Sequence, residues 1–364
     1  MRQVTRCQVC GCSALRLVLD LGELPLVNDL RSNAPRYPTQ LFQCEHCSLV
    51  QLGCIVDSEQ VFPPSYPYVS GSTAALRKNF EQLAEKAGAV PRRVLDIGSN
   101  DGTLLKAFKD RGWEVLGVEP TNTAKIANAA GIRTIQAPFT LVLANGLGLS
   151  DVVTATNVFA HVDDVHGFMR AVDRVLAPGG IFITESHYWL SLVEKSQFDA
   201  VYHEHLRYYS IASLEYLLEC HGFYIYDYER IPTHGGSIRV FASRTKPYRL
   251  PSEERQLGGE LQQRAASIAM KLRQMVPKGA FGIGAPSRGS TMVSYVGMPL
   301  DAVVEVSGSP KIGGHMPGTS IPIVDEALLF DEQPEYAVIL SWHIADELIP
   351  KLRAKGYRGK FIVP

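Results

Sequence analysis

The sequence predicts an α/β protein in which a small N-terminal metal-binding segment precedes two Rossmann-like units. Three observations predict this class. Six of the seven cysteines lie within the first 54 residues. Two strand–glycine turn–helix patterns begin near Val94 and Phe281. With 364 residues, the chain is also too long for one ordinary core, so we expect two or three domains.

Composition and charge exclude several partner classes. Charged residues make up 20% and hydrophobic residues 46% of the chain, and the net charge is −1. Because no basic excess can neutralise a phosphate backbone, we expect no nucleic-acid partner. The N-terminus "MRQVTRCQVCG" lacks the apolar core of a signal peptide, and no stretch approaches the roughly 18–20 apolar residues of a membrane span. We therefore expect a cytoplasmic protein with no membrane partner.

The N-terminal cysteines form two CxxC pairs, which are Cys7 with Cys10 and Cys44 with Cys47. Two such turns bring four thiolates to one ion, and zinc is the usual occupant. Four protein ligands close the coordination sphere, so the pattern predicts a structural zinc. The odd cysteine count argues against a disulfide framework. Cys12 and Cys54 are spare thiols, and Cys12 competes with Cys10 as a ligand.

A βαβ unit follows the N-terminal segment. "RRVLDIGSNDGTLLKAFKDRGWEVLGVEP" predicts a strand over Val94–Ile97, a helix over Thr103–Arg111 and a strand over Glu114–Val118. Further strands are predicted over Val152–Thr156 and Ile181–Glu185. Ligands of open α/β sheets bind outside the carboxyl ends of the strands. We therefore expect the polar side chains just past these ends, Asn157, His161, Glu185 and His187, to lie near a site.

The turn "DIGSNDG" indicates the class of ligand. Gly98 and Gly102 stand where the backbone bends sharply beside a ligand, and Glu119 ends the next strand, where an acid accepts from both ribose hydroxyls. The turn matches neither GxGxxG nor the P-loop, which disfavours a dinucleotide or a cradled triphosphate. It is similar to the S-adenosylmethionine site of class I methyltransferases. This likeness gives the cofactor-binding candidates Asp96, Gly98, Ser99, Asn100, Gly102, Glu119, Pro120, Phe139 and Asn157.

One region departs from that site. Class I methyltransferases often place an acid near the adenine, but here the corresponding residues, Gln136–Phe139, read "QAPF". In place of this acid, the sequence offers the backbone of Ala137 and the ring face of Phe139 as contacts for the adenine.

The segment "FDAVYHEHLRYYS", Phe198–Ser210, concentrates titratable side chains. A zincin-type site needs H-E-x-x-H, whereas His203 and His205 are two residues apart. On a helix this spacing separates them by about 200°. On a strand it places both on one face, with Glu204 opposite. From the residues alone, a metal site, a polar seam and a catalytic base all stay open.

The motifs together resemble the sugar C-methyltransferases that act on nucleotide-linked deoxy-keto-sugars. They are the CxxC pairs, "VLDIGSNDGTLL", "NVFAHVDDVHGF", "QFDAVYHEHLRYYS", "THGGSIRVFA" and "GIGAPSRGSTMVSYVG". The resemblance implies a class I methyltransferase (Rossmann-like) core with a zinc-binding N-terminal domain and a Rossmann-like C-terminal domain. Their predicted bounds are 1–70 for the zinc domain and linker, 71–245 for the methyltransferase domain, and 246–364 for a domain that contacts the nucleotide-sugar. We expect a monomer or a small homo-oligomer.

The resemblance also assigns roles in the site. His205 matches the general base of the family, and the other matching residues are Tyr202, Glu204, His161 and either Tyr66 or Tyr68 of the linker. Methylating carbon needs a carbanion equivalent, which forms when a base takes the proton next to a ketone while a donor stabilises the enolate oxygen. We therefore expect His205 to abstract this proton while a Tyr or His donates to the oxygen.

In the C-terminal region a long helix is predicted over Arg255–Val276, followed by a strand over Phe281–Ile283. Ser287 and Arg288, beside glycines at a helix start, suit a pyrophosphate. The turn at Ser307 departs from the "DxNP"-like turn of relatives, and the nearby Lys311 and His315 are either phosphate neighbours or part of a solvated loop.

The alternatives to this function are an O- or N-methyltransferase acting on a sugar or small metabolite, a non-catalytic binding protein with a methyltransferase fold, and a metal-dependent hydrolase at "YHEH". The intact set of Asp96, Gly98 and Glu119 argues against the non-catalytic alternative.

Overall fold

The computed structural model describes residues 1–62, 69–88, 90, 92–246 and 260–364. The N-terminal region is a small β domain, with the elements β1 (Arg2–Gln3), β2 (Leu15–Pro25), β3 (Arg36–Cys44), β4 (Val50–Leu52), β5 (Cys54–Ile55) and α1 (Ser58–Val61). Strands β2, β3 and β4 pair antiparallel, and β1 pairs with β5. A region this small builds little core alone, and its buried Leu19, Leu41 and Leu52 share one cluster with residues of the C-terminal region.

The central region alternates helices and strands. Its elements are α2 (Ala74–Lys86), β6 (Arg93–Ile97), α3 (Thr103–Lys109), β7 (Glu114–Val118), α4 (Thr123–Ala129), β8 (Thr134–Ile135), α5 (Leu141–Ala144), β9 (Ser150–Thr156), α6 (Val165–Val175), β10 (Leu176–His187), α7 (Trp189–Glu194), β11 (Arg207–Tyr208), α8 (Ile211–Glu219), β12 (Tyr224–Ile231) and β13 (Ser237–Ser243).

The central sheet has the order β8-β7-β6-β9-β10-β13-β12 among the described residues. Strands β6 to β10 run parallel, whereas β13 is antiparallel to both of its neighbours. Val94, Leu95 and Ile97 of β6 are all buried, as expected for a parallel strand covered by helices on both faces. The strand order reverses between β6 and β9, which opens a crevice at their carboxyl ends.

The C-terminal region is a second parallel α/β unit. Its elements are α9 (Leu261–Met275), β14 (Ala280–Ile283), α10 (Ser287–Val296), β15 (Leu300–Glu305), β16 (Ile323–Asp325), α11 (Ala327–Glu332), β17 (Tyr336–Ile339), α12 (Ala345–Ala354) and β18 (Lys360–Ile362). Its sheet has the order β16-β15-β14-β17-β18. Helix α9 lies within the predicted range Arg255–Val276, of which residues 255–259 are outside the described ranges.

The histidine-rich segment Phe198–Ser210 lies where the three regions meet. Its strand β11 pairs antiparallel with β4, which extends the N-terminal sheet. Phe198, Val201 and Leu206 pack in the same cluster as the leucines of the N-terminal sheet and Val303 of β15. The predicted domain bounds stay predictions. Strand β11 lies between the central-region strands β10 and β12 in the chain but joins the N-terminal sheet. Contacts from all three regions therefore fix this segment.

Two element bounds differ from the prediction. Helix α3 ends at Lys109 because the chain turns at Gly112, whose φ is +85°, to enter β7. Strand β10 extends over Leu176–His187 and is therefore longer at both ends than the predicted Ile181–Glu185. In the part of the chain that the structure describes, no helix has both the length and the apolar character that a membrane crossing requires.

Candidate functional site

The four cysteines of the CxxC pairs converge at one point. The Cys7 and Cys47 sulfurs are 3.5 Å apart, and those of Cys10 and Cys44 are 3.4 Å apart. All four ligand atoms lie within 4.8 Å of one another. Sulfurs bound to zinc at ~2.3 Å in a tetrahedron are separated by about 3.8 Å, whereas a disulfide needs about 2.05 Å. The cluster therefore fits a tetrahedral zinc ion.

The two remaining N-terminal cysteines lie outside this cluster. The Cys12 sulfur accepts a hydrogen bond from the Ala14 amide at 3.4 Å, and the Cys54 thiol donates to the Pro38 carbonyl at 3.1 Å. Burial raises the pKa of Cys44 to about 11, so this thiol resists ionisation until a cation stabilises its thiolate. Among the described residues, the four-cysteine cluster is the one metal-compatible group of three or more His, Cys, Asp or Glu.

A cavity of about 540 Å³ occupies the crevice at the carboxyl ends of the central strands. Residues of all three regions line it, including Ser58 and Phe62 of the N-terminal region and Ser287 at the start of α10. Phe62 and Ser70, which flank residues 63–68, both border the cavity. The predicted linker tyrosines, Tyr66 and Tyr68, lie outside the described residues.

The glycine turn forms one wall of this cavity. Gly98 has a φ of +71°, and a Cβ at this position would meet Cγ2 of Val158 at 2.2 Å. Glu119 is buried and accepts two backbone hydrogen bonds, from the Asn100 amide at 3.0 Å and the Thr121 amide at 2.8 Å. A carboxylate has about four lone-pair positions, so Glu119 keeps acceptor capacity for the two hydroxyls of a ribose.

Eight of the nine predicted cofactor residues line the cavity, namely Asp96, Gly98, Ser99, Asn100, Glu119, Pro120, Phe139 and Asn157. Gly102 instead caps α3 with a φ of +81°, and a Cβ there would meet Ile132 and Ala127 at 3.0 and 3.1 Å. Asp96 accepts a hydrogen bond from the Thr154 hydroxyl at 2.6 Å. Burial raises the pKa of Asp96 to about 7, and the charge of Glu119 adds to this rise.

Four histidines gather at the opposite end of the cavity. They are His161, which follows β9, His187 at the end of β10, His205, and His234, which precedes β13. The ring centre of His205 lies 4.9 Å from that of His161 and 4.5 Å from that of His187. His234 is 5.7 Å from His187, and the Tyr202 ring is 4.3 Å from His205. The tertiary fold thus gathers imidazoles from four separate segments.

His205 has a defined hydrogen bond on one ring nitrogen. Its Nδ1 lies 3.2 Å from the Ala200 carbonyl oxygen, which can only accept. A neutral His205 ring in this contact carries its proton on Nδ1 and its lone pair on Nε2. Burial lowers the pKa of His205 well below its usual value, and the neighbouring His161 lowers it further. The ring is therefore neutral at pH 7 and able to accept a proton.

His203 points away from this site. Its Nε2 is 3.3 Å from both the Thr39 hydroxyl and the Pro38 carbonyl of β3, and it is not among the residues that line the cavity. Residues 202–206 form an irregular turn, so neither the helical nor the strand spacing of His203 and His205 applies. The two side chains contact different domains, and the metal site considered at "YHEH" is therefore wrong.

Glu204 makes a hydrogen bond to the N-terminal domain. Its Oε1 accepts a hydrogen bond from Nδ2 of Asn28, in the N-terminal domain, at 2.5 Å. Glu204 also lines the cavity, and the turn that carries it continues into β11 on the N-terminal sheet. The zinc-binding domain therefore reaches the active-site wall.

Three regions of the chain match known domain families. Residues 7–62 match a zinc binding domain, residues 68–228 a methyltransferase domain, and residues 256–364 a C-methyltransferase C-terminal domain. The chain is also 30% identical to the C-methyltransferase NovU of Streptomyces niveus, over 100% of this chain and 96% of that protein. The chain belongs to the C-methyltransferase family. Its predicted resemblance and its class I methyltransferase fold are thereby confirmed.

Other relatives match a part of this C-methyltransferase. An uncharacterized methyltransferase of Mycobacteroides abscessus is 33% identical over 34% of this chain and 51% of its own. A crystal structure of the glycopeptide N-methyltransferase MtfA with S-adenosyl-L-methionine is 15% identical, with a TM-score of 0.38 over 49% of this chain and 97% of that one. S-adenosyl-L-methionine and zinc are the cofactors of this C-methyltransferase. The first fits the glycine-turn cavity and the second the four cysteines.

Sequence reasoning placed His187 near the cavity but missed His234 and Asn28. His187 and His234 both have a buried, unpartnered Nε2 beside the cavity that they line. The signal for His234 was present in "THGGSIRVFA", because a histidine before two glycines favours an unusual turn, and its φ is indeed +55°. Asn28 has no sequence signal, since nothing local links it to Glu204.

Two residues that the sequence placed near a ligand, Glu185 and Arg288, form buried ion pairs within the protein instead. Glu185, expected near the site, lies within β10 and forms a fully buried ion pair with Arg239. Arg288, expected to bind a pyrophosphate, forms a two-bond ion pair with Asp199 at 2.8 and 2.9 Å. In both cases a buried charge is paired within the fold, as the cost of desolvation requires. The Lys311 ammonium likewise donates to the Ala285 carbonyl at 2.5 Å.

Proposed function

We propose that this C-methyltransferase methylates the carbon next to the ketone of a nucleotide-linked deoxy-keto-sugar. The observation that carries the proposal is His205, a buried neutral imidazole beside the glycine-turn cavity whose Nδ1 is bound to the Ala200 carbonyl. This contact leaves the Nε2 lone pair to take a proton. A base held in this form is what carbon methylation needs and what oxygen methylation can do without.

The first step is proton transfer from the substrate carbon to Nε2 of His205. The electron pair of the broken C–H bond moves onto the ketone oxygen as an enolate, which needs a nearby donor. Tyr202 and His161 are the candidates, because their rings lie 4.3 and 4.9 Å from that of His205. When bound, S-adenosyl-L-methionine supplies an electrophilic methyl group. Burial of the histidines excludes water from the enolate and strengthens each hydrogen bond to it.

The charges of the side chains that line the cavity support binding of the sugar inside it and of the nucleotide outside it. Among the described residues that line the cavity, none is a lysine or an arginine, so it offers no cation for a diphosphate. Among the described residues, several imidazole nitrogens of the cavity and the Ser186 hydroxyl have no hydrogen-bond partner. These groups are suited to the hydroxyls and ketone of a sugar ring. Ser287, at the start of α10, also lines the cavity, which supports a contact between the C-terminal domain and the nucleotide of such a substrate.

A panel of nucleotide-linked 4-keto-sugars with an isotope-labelled methyl donor tests the proposal by mass spectrometry. We expect carbon-bound label on at least one keto-sugar and none on its reduced 4-hydroxy analogue. His205→Asn should abolish both methylation and solvent deuterium exchange at the substrate carbon, whereas the control His46→Asn, at an exposed position, should not. Full exchange in His205→Asn would overturn the assignment of the base. Oxygen-bound label would favour an O-methyltransferase instead.

A further inference from the structure

We infer that Arg288 and Asp199 are positioning residues through which the C-terminal domain sets the orientation and tautomer of His205. The inference rests on the proposed role of His205 as the base. Arg288 is the second residue of α10, and Asp199 belongs to the 3₁₀ helix Phe198–Ala200 of the central region. The pair therefore joins two domains next to the active site.

Three donors hold the Asp199 carboxylate. Nε and Nη2 of Arg288 donate to it at 2.9 and 2.8 Å, and Nε1 of Trp342 donates to Oδ2 at 2.8 Å. The guanidinium carbon also lies 4.7 Å from the centre of the Trp342 ring. The Asp199 and Arg288 side chains are only 3% and 7% exposed, so solvent competes little for these bonds. A two-bond arginine–carboxylate pair fixes both distance and plane.

The residue after Asp199 makes the contact that defines the base. The Ala200 carbonyl lies 3.2 Å from Nδ1 of His205 and also accepts a hydrogen bond from the Tyr208 hydroxyl at 3.3 Å. A peptide unit next to a clamped carboxylate has little freedom to rotate. If this carbonyl turned away, the proton of His205 could move to Nε2, and the lone pair needed for abstraction would be lost.

The same guanidinium also contacts the segment that carries His234. Nη1 of Arg288 donates to the His234 carbonyl at 3.0 Å. His234 has the unusual backbone angles φ +55° and ψ 24°, and a Cβ on the next residue, Gly235, would meet this Nη1 at 2.6 Å. Strained backbone persists only where its surroundings enforce it. Arg288 thus contacts the His234 backbone directly and is linked to His205 through Asp199 and the Ala200 carbonyl.

Stability alone is a poor explanation for this pair. Two buried charges recover little more free energy than apolar side chains of the same volume would provide. What an ion pair adds is a fixed geometry, here transmitted to Ala200 on one side and His234 on the other. Each nitrogen of the guanidinium donates within the protein, and Arg288 is not among the described residues that line the cavity.

The test compares Trp342→Phe, Asp199→Asn and Arg288→Lys with wild type. Trp342→Phe removes one hydrogen bond and keeps an aromatic ring, so it stays informative if the ion-pair variants do not fold. The matched control is Glu194→Gln, which breaks an exposed two-bond pair with Arg230 (3.2 Å for each bond). We expect kcat to fall about 10- to 100-fold in the ion-pair variants, with KM for S-adenosyl-L-methionine unchanged.

Nitrogen NMR of His205 gives a readout that does not depend on turnover. We expect the population protonated at Nδ1 to fall in the three variants and to stay at the wild-type level in Glu194→Gln. Folded variants with wild-type kcat and an intact Nδ1–H signal would overturn the inference. If His205→Asn keeps deuterium exchange, the proposed base is wrong, whereas the NMR result still reports whether Asp199 and Arg288 set the tautomer.

Discussion

Asn28 of the zinc-binding domain donates a hydrogen bond to Glu204 of the active-site turn, with 2.5 Å between Nδ2 and Oε1. The two residues are 176 positions apart in the sequence. This bond and the pairing of β11 with β4 connect the domain that zinc holds together to the wall of the methyl-transfer cavity. The four cysteines are not among the described residues that line the cavity, but the sheet of their domain pairs with β11 at its wall.

Asn28→Ala should slow methyl transfer without weakening cofactor binding. The Glu204 carboxylate would lose one hydrogen-bond donor, and a hydrogen bond to a charged group contributes ~1.5 kcal/mol of free energy. We therefore expect kcat/KM for the sugar to fall about 10-fold. Steady-state kinetics with both substrates measures this. The control is Asn33→Ala, an exposed asparagine in the same part of the chain, which should behave as wild type. Equal kinetics for both variants would contradict a role for Asn28.

Replacing a zinc ligand should remove the metal and disturb the active site together. We expect one zinc per chain in the wild type and none in Cys44→Ser, measured by elemental analysis. The controls Cys12→Ser and Cys54→Ser should keep the metal, because both thiols lie outside the cluster. Loss of zinc should also reduce methyl transfer, since the N-terminal sheet supports both β11 and Asn28. Full zinc content in Cys44→Ser would refute the ligand set.

The buried histidines should make the protein sensitive to mild acid. Burial lowers the pKa of His161 and of His234 to about 4, against a usual value of 6.5. The unfolded chain therefore binds more protons than the folded one between pH 6.5 and 4, so the free energy of unfolding must fall as the pH drops through this window. A shift of this size is worth up to about 3 kcal/mol per histidine.

This prediction is best measured as a difference between variants, because Asp96 changes the free energy of unfolding in the opposite direction over the same pH range. Its pKa is raised by burial to about 7, so its contribution to stability falls as the pH rises through the same window. Denaturant unfolding of His161→Asn and wild type from pH 4 to pH 7 isolates the histidine. The variant should lose less stability toward pH 4. Parallel curves would show that the pKa of His161 is not lowered.

Gly98→Ala should abolish cofactor binding and lower stability. The new Cβ would lie 2.2 Å from Cγ2 of Val158, and the φ of +71° adds a cost of ~1–2 kcal/mol for any side chain. Gly222→Ala is a matched control, since Gly222 has a φ of +74° with open space around its Cβ position. Calorimetric titration with S-adenosylhomocysteine should show binding in the control alone. Wild-type affinity in Gly98→Ala would mean that the turn does not contact the cofactor.

The amino-acid sequence by itself determined the features that depend on short stretches of chain. A CxxC turn directs two thiols to one side through local backbone geometry, so Cys7, Cys10, Cys44 and Cys47 were predictable as a set. A buried strand that ends in a glycine turn and a helix likewise marks the cofactor loop at Gly98. The density of titratable groups singled out Phe198–Ser210, of which Tyr202, Glu204 and His205 line the cavity.

Only the tertiary structure decided which way the side chains of that segment point. His203 and His205 lie in an irregular turn, which has no fixed side-chain period, so contacts with distant segments set their directions. His203 is held by β3 and His205 by Ala200. The partners of Glu204 and Asp199, Asn28 and Arg288, come from other domains, and no local rule relates residues so far apart in the chain. Long-range packing, which follows from burial of the whole core, therefore decided that His205 lines the cavity and that His203 does not.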